Sequence, residues 1–308
     1  MRPTIPDPAR RARSPTTGAA LALLLAIAAC GTAPQQQQAA RPTGPAPTYN
    51  TDYVPPFATK PYEPLTREDV VGIAMREWRM FGELVDDEPP ETRPNVPAQF
   101  KPERYPGLWE RVGEYWWLGV NPDRPERNDT GKHDAYGVVF PASDDGEYAW
   151  SAAFISYVMR IAGAGARFPY SESHSTYINA AVRAAQSGND PWVIFAERPD
   201  GYAPKLGDII CTGRGSAAHI RYGDLPRGGF ASHCDFVVDV KPGKLSVVGG
   251  NVDDAVTMKH VPVTSDGLLA PRGGGVLDDR YDWFVVLRVL YDRDSDPVAM
   301  ATDGGAPS

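Results

Sequence analysis

Three short segments of the chain combine the side chains that acyl-transfer chemistry needs. The first is an Ala-Trp-Ser-Ala-Ala-Phe sequence that places Ser151 at the beginning of a predicted helix. The second is the pair Gly207 and Asp208, and the third runs from His233 to Asn251. A hydroxyl group, an imidazole and a polar group that orients the imidazole are the parts of a nucleophilic site. These residue types, in this order, indicate a site for nucleophilic attack on an acyl carbon.

The order and spacing of these segments resemble those of the papain-like cell-wall peptidases of the NlpC type and of their CHAP relatives. In those enzymes a Trp-Cys-Ala-Ala-Phe-like sequence begins a helix, a Gly-Asp strand follows, and the next strand carries a histidine. More narrowly, the block from Trp150 to Asn251 resembles the bacterial domain-of-unknown-function family 2272, over about residues 65–292. The resemblance implies that Ser151 is the nucleophile, that His233 is the base and that Asn251 orients the base.

Ser151 departs from the peptidase pattern, which has cysteine at this position. A nucleophile in the first helical turn meets unpaired backbone N–H groups and the positive end of the helix dipole, which stabilise an anion. A serine hydroxyl, however, is far harder to ionise than a thiol. Three interpretations therefore stay open. Ser151 is a nucleophile activated by His233, or the site binds without cleaving, or Ser151 is only a polar residue at a helix start.

The predicted strand that carries His233 offers a second orienting group. Because successive strand residues face opposite sides, Asp235 shares the face of His233 and is an alternative to Asn251. A solvated strand carboxylate is the other interpretation of Asp235. Cys234 is expected to point away from His233, so we do not assign it as a nucleophile. Whether Cys234 and Cys211 pair in an oxidising compartment stays open.

Three more residues are assigned to substrate binding, and each also has a structural interpretation. Trp150 lies in the core or in a cleft wall. His174 lines a cleft or is a surface residue at a helix start. Asp208 binds substrate or braces a turn. No cysteine has metal-ligand spacing with a histidine, so neither a metal nor another cofactor is predicted.

Periodicity predicts helices first and strands later, which indicates the α+β class. The resemblance specifies a papain-like domain, with N-terminal helices packed on an antiparallel sheet or half-barrel. A capping box at Thr66 begins the first helix, whose apolar stripe extends to Val85 and is predicted core. Other helices are expected at about 107–118, 147–162 and 173–186. Strands are expected at 207–212, 232–240, 245–248, 256–263 and 283–290, with a glycine-rich loop at 213–230.

The beginning of the chain has the features of an exported lipoprotein. Four arginines precede an apolar run of residues 19–29, which is too short to cross a bilayer, and Cys30 follows in a lipobox-like sequence. Residues 1–29 are thus a predicted signal peptide, and Cys30 is the predicted lipidation site. Residues 30–64, rich in Pro and Gln, are predicted to be a disordered tether. The domain is predicted at 65–292, with a disordered tail at 293–308.

The predicted cellular location and the formal net charge indicate which classes of partner to expect. Gly31 in place of an aspartate favours the outer membrane, with the domain on the periplasmic side. The formal charge is −8, or −11 with 27 basic and 38 acidic residues after removal of the signal peptide. Because no large basic cluster occurs, nucleic acid is not an expected partner. Peptidoglycan or its stem peptides are the expected ligands, the membrane is reached through Cys30, and a regulatory protein is a further candidate partner.

The sequence is compatible with three functions. The first is a hydrolase, an amidase or endopeptidase that cleaves amide bonds of the wall peptide with Ser151, His233 and Asn251. The second is an inactive papain-like domain that binds peptidoglycan or a protein. The third is a purely structural envelope lipoprotein. The intact His233 and Asn251 favour the hydrolase, whereas the serine at position 151 favours binding.

Overall fold

The structure is a computed structural model that describes residues 64–94, 96–120, 149–188 and 192–292. The predicted signal peptide, Cys30, the tether up to residue 63 and the tail from residue 293 lie outside the described residues. In the ranges described, no helix has the length and apolar character needed to cross a membrane.

Within these described ranges, four α-helices precede a six-stranded antiparallel sheet, so the predicted α+β class is confirmed. The helices are α1 (Arg67–Met80), α2 (Leu108–Gly119), α3 (Ser151–Ile161) and α4 (His174–Ser187). The strands are β1 (Ile194–Glu197), β2 (Ile209–Gly213), β3 (Ser232–Lys241), β4 (Lys244–Val252), β5 (Ala255–Pro262) and β6 (Trp283–Val289). Their order in the sheet is β1-β6-β2-β3-β4-β5.

In helix α1 the predicted apolar stripe is buried at some positions, but it does not extend as far along the chain as predicted. Thr66 caps the helix, since its hydroxyl oxygen accepts a hydrogen bond from the backbone N–H of Asp69 at 3.1 Å. Ala74 and Phe81 are buried as predicted. Val85 is 51% exposed, and its prediction as core was wrong. The helix ends at Met80, so the stripe does not continue to Val85.

Strands β2 to β5 form a meander, and β6 returns between β1 and β2. The five predicted strands are present within a few residues of their expected bounds, whereas β1 was not predicted. Only four residues long, β1 pairs at the edge of the sheet with β6. The glycine-rich loop also contributes to the core, because Ala217, Ile220 and Leu225 are buried.

The two faces of β3 pack against different apolar clusters. Phe236 lies on the helix side, with its ring 6.4 Å from that of Phe154 in α3. Val237 belongs to a second cluster on the opposite side. Cys234 is in the helix-side core and forms a disulfide with Cys211, whose Cα atom is 4.2 Å away. Cys234 is therefore not a free thiol, and the question of its pairing with Cys211 is answered.

Candidate functional site

Ser151 is the first residue of α3, and buried contacts fix this helix start. The preceding Trp150 is fully buried, packs on the rings of Phe81 and Tyr115, and donates its indole N–H to Glu103 at 2.6 Å. Trp150 is therefore a core residue that positions α3. The predicted contact of Trp150 with substrate is not present in this structure, because no part of its side chain reaches solvent.

His174, not His233, lies in hydrogen-bond contact with Ser151. Its Nε2 atom is 2.6 Å from Ser151 Oγ, and its Nδ1 atom is bonded to the hydroxyl of Tyr177. His174 and Tyr177 are three residues apart in the first turn of α4, which brings their side chains to one face. Since His174 is only 5% exposed, its interpretation as a surface residue was wrong.

The start of α4 is attached to α3 by hydrogen bonds of the intervening loop. Ser156 of α3 donates its hydroxyl to the carbonyl oxygen of Ser171 at 2.9 Å, and the N–H of Ser171 bonds back to the same hydroxyl at 3.1 Å. This reciprocal pair holds the loop three residues before His174. The two helix starts are thus brought together by tertiary packing.

A second polar chain extends from His233 across the sheet. His233 Nε2 lies 3.0 Å from Asp235 Oδ1, and Asp235 Oδ2 lies 2.8 Å from Lys259 Nζ. These three side chains are at most 1% exposed. The ring of His233 contacts that of His174 edge to face, with centroids 5.6 Å apart. The Nδ1 atom of His233 is buried and has no hydrogen-bond partner among the described residues.

Burial sets the protonation states of this site. It lowers the pKa of His233 to about 3 and that of His174 well below 6.5, with a further contribution from nearby positive charge. Both imidazoles are therefore neutral at neutral pH. Burial alone would raise the pKa of Asp235, but the charge of Lys259 and the contacts of His233 outweigh it. Asp235 is thus a carboxylate that fixes the proton of His233 on Nε2.

Glycines in β4 make room for these groups. A Cβ atom at Gly249 would lie 1.9 Å from Asp235 Oδ1 and 2.9 Å from His233 Nε2. The neighbouring Gly250 lies against Phe154 and Trp150 in the same way. The two glycines that precede Asn251 are therefore needed for close packing of β4 on both β3 and α3.

Neither Asn251 nor Asp208 forms a hydrogen bond with His233 in the described part of the chain. Asn251 has a left-handed backbone, with φ of 56°, and no hydrogen bond joins it to His233 in the part of the chain that is described. The orienting position is instead occupied by Asp235, the predicted alternative. Asp208 is 1% exposed and accepts hydrogen bonds from the backbone of Lys205 and Val289. It braces the start of β2 and has no open face for substrate.

The side chains of Ser151, His174, Tyr177, His233, Asp235 and Lys259 together form a polar network. Sequence reasoning missed two of its residues, Tyr177 and Lys259. The helical spacing from His174 could have indicated Tyr177. Lys259 is a cation in an apolar strand, with Met258 before it and Val261 two residues later, and such an isolated charge in a strand is a signal for a buried pair.

A cleft of about 820 Å³ lies beside the network. Ala149, Thr212 and Tyr281 are among its lining residues. Thr212 pairs with His233 across β2 and β3, and Lys259 Nζ is 5.1 Å from the centre of the Tyr281 ring. Ser151 itself, 6% exposed, is not part of the lining. Within the described ranges, no group of three His, Cys, Asp or Glu residues could hold a metal ion.

A family model described as "Uncharacterized protein conserved in bacteria (DUF2272)" matches residues 103–289. The chain belongs to this family. The DUF2272 match includes every residue of the network, from Ser151 to Lys259, and the predicted membership is confirmed. No curated protein and no solved structure matches the chain.

Proposed function

We propose that this DUF2272 domain is a serine hydrolase of the cell envelope, which cleaves amide bonds of cell-wall peptides. Ser151 is the nucleophile and His174 is its general base. The observation that carries the proposal is the 2.6 Å hydrogen bond between Ser151 Oγ and His174 Nε2 at the first residue of α3. A nucleophile, a base and a helix start with unpaired N–H groups are thereby assembled at one point.

The reaction follows from these contacts. Ser151 Oγ transfers its proton to His174 Nε2 as it attacks the substrate carbonyl carbon, and the backbone N–H groups of the first turn of α3 stabilise the resulting oxyanion. His174 then gives the proton to the departing amine, which leaves an acyl group on Ser151. Water, deprotonated by His174, releases the acyl group as a carboxylate and restores the hydroxyl.

Activation requires one of the two neutral forms of His174. To accept the serine proton at Nε2, the ring must carry its own proton on Nδ1 and donate it to the hydroxyl oxygen of Tyr177. Burial raises the pKa of Tyr177 well above 10, so the phenol stays neutral and can accept this bond. We infer that Tyr177 has the orienting role and that the adjacent His233, with Asp235 behind it, supports the ring of His174.

The proposal includes a papain-like fold and a wall substrate. A nucleophile at the start of a helix, packed on an antiparallel sheet whose second meander strand carries a histidine, supports the papain-like assignment. Fold alone does not establish an activity. The choice of wall peptides rests on the predicted anchoring at Cys30, which would hold the domain next to peptidoglycan.

A second candidate function is ligand binding without cleavage. The observation in its favour is that Ser151 and His174 are 6% and 5% exposed and do not line the cleft. A substrate bound in the cleft of this structure would therefore not contact Ser151 Oγ. In this alternative, the cleft recognises a wall peptide and the polar network has a structural role.

Two measurements on the full chain, purified in detergent, test the proposal. A fluorophosphonate reagent should modify Ser151, mapped by mass spectrometry, because it labels serines activated by a base. Purified peptidoglycan and synthetic stem peptides should release fragments. Both results should be lost in Ser151→Ala and His174→Gln and kept in Ser265→Ala, which changes an exposed serine. Peptide binding with neither labelling nor fragments would establish the second candidate.

A further inference from the structure

Arg214 is a cation of the cleft wall that has no partner among the described residues. It follows the end of β2, and its backbone N–H is bonded to Ala231 at 3.0 Å, which fixes the position of its Cα atom. Arg214 is an exposed residue that lines the cleft. In the described part of the chain, no carboxylate, hydroxyl or carbonyl group bonds to its guanidinium.

The other arginines and the lysine of the cleft differ from Arg214 in this respect, because each is already paired with a carboxylate. The pairs are Arg93 with Asp253 at 3.2 Å, Lys101 with Asp254 at 2.9 Å, and Arg280 with Asp278 at 2.9 Å. Their charges serve to hold the cleft wall together. Among the arginines and the lysine that line the described part of the cleft, Arg214 is therefore the one whose hydrogen-bond donors are available to a ligand.

Arg214 is also close enough to the polar network to act on it. Burial is the main cause of the low pKa of His174 and of His233, and the positive charge of Arg214 lowers both further. Arg214 lies one residue after the β2–β3 pairing that ends at Gly213 and Ser232, next to His233. A group held by Arg214 would thus lie near His233, whose ring contacts that of His174.

We propose that Arg214 binds a carboxylate of the substrate, so that the cleft selects peptides with a free carboxylate near the bond that Ser151 attacks. This inference rests on the proposed function for its second half, since it names the substrate class of the same site. The planar guanidinium presents paired N–H donors that match the two oxygens of a carboxylate.

The charges of the cleft favour a carboxylate over a phosphate. Besides the carboxylates paired with these cations, Asp279 and Asp282 line the same space, and Asp282 lies 3.0 Å from His219 Nδ1. A single unpaired guanidinium compensates one negative charge, whereas a phosphate brings up to two among these aspartates. A monoanion is therefore the better match.

The test measures binding separately from cleavage. The full chain carrying Ser151→Ala, purified in detergent, is titrated calorimetrically with two synthetic stem peptides. One has free carboxylates, and in the other they are amidated. We expect amidation to weaken binding by about 10- to 100-fold, the range of a charge-assisted pair. Adding Arg214→Gln should abolish this difference, Arg214→Lys should keep part of it, and the control Arg272→Gln should keep all of it. Arg272 is an exposed residue paired with Asp266.

Each outcome bears on the proposal. Equal binding of the two peptides, or a carboxylate preference that persists in Arg214→Gln, would overturn it. The comparison of the two peptides needs no Arg214 variant, so equal binding would overturn the inference even if the substitutions impaired folding, and the milder Arg214→Lys tests the assignment to Arg214. Inorganic phosphate that competes better than acetate would assign the site to phosphate instead. Carboxylate-dependent binding without any hydrolysis by the unmutated chain would support the inference while contradicting the proposed function.

Discussion

Ser151 and His174 owe their properties to burial as much as to contact. A hydroxyl group and an imidazole 2.6 Å apart interact more strongly in a site from which water is excluded. The same burial keeps His174 neutral, so that it is able to accept a proton. The cost of burying these groups is offset because both ring nitrogens of His174 are bonded.

Tyr177→Phe tests whether the tautomer of His174 matters. The substitution keeps the ring packed on that of Phe168, 5.5 Å away, but removes the oxygen that accepts the Nδ1 proton. The proton can then move to Nε2, where it blocks activation of Ser151. We expect kcat to fall at least about tenfold with little change in KM, measured with a peptide that the unmutated chain cleaves. An unchanged kcat would remove Tyr177 from the mechanism.

His233 should make the stability of the domain depend on pH. Burial holds its pKa at about 3 in the folded state, against 6.5 for an exposed histidine. Between these values the unfolded state binds more protons, so the free energy of unfolding increases with pH from about 3 to 6.5. The stability is lost as the pH falls through this window, by at most about 1.4 kcal/mol per pH unit for each such histidine.

Urea unfolding at pH 4, 5, 6 and 7 measures this slope. His233→Gln, whose amide can still donate to Asp235, should reduce the slope. His219→Gln is the control, because His219 has an 87% exposed side chain. Equal slopes in His233→Gln and the unmutated protein would mean that His233 takes up protons in the folded state as readily as in the unfolded one.

At the scale of the elements, β3 carries both a disulfide cysteine and two residues of the polar network. Cys234 faces the helices and is bonded to Cys211, whereas His233 and Asp235 on either side of it belong to the polar network. Alternation along one strand thus directs Cys234 and the His233–Asp235 pair to opposite faces of β3.

The double substitution Cys211→Ala, Cys234→Ala should therefore reduce stability but not reactivity. The disulfide joins residues 23 apart, and loss of such a cross-link costs about 3 kcal/mol. Thermal unfolding measures that loss. Fluorophosphonate labelling of Ser151 should be unchanged at temperatures where the variant is folded. Lost labelling in a folded variant would show instead that the disulfide positions His233.

The elements show which parts of the site a sequence can predict. Spacing within one element predicted that Asp235 shares the face of His233, and the helix start at Ser151 was predicted as well. The contact of Ser151 with His174 could not be predicted, because it joins the starts of two helices 23 residues apart through tertiary packing. Lys259 reaches Asp235 from β5, across β4, which no local pattern encodes.

At the scale of the whole molecule, the proposed activity depends on where the domain is held. Cys30 is the predicted lipid anchor, and two or more acyl chains give stable attachment to a membrane. The predicted tether of residues 30–64 would give the domain a reach of up to about 100 Å if extended at roughly 3.1 Å per residue. Such a reach would let a membrane-anchored hydrolase act on a polymer in the periplasm.

Cys30→Ala should therefore release the protein from the membrane. In a Gram-negative host grown with labelled palmitate, the unmutated chain should carry the label and sediment with outer membranes. Cys30→Ala should lose the label and remain in the soluble fraction, because the apolar segment before Cys30 is too short to span a bilayer. Gly31→Asp is the matched control for destination, since it should keep the label but move the protein to the inner membrane. An unlabelled wild-type chain would contradict lipidation, and with it the reason for expecting a wall substrate.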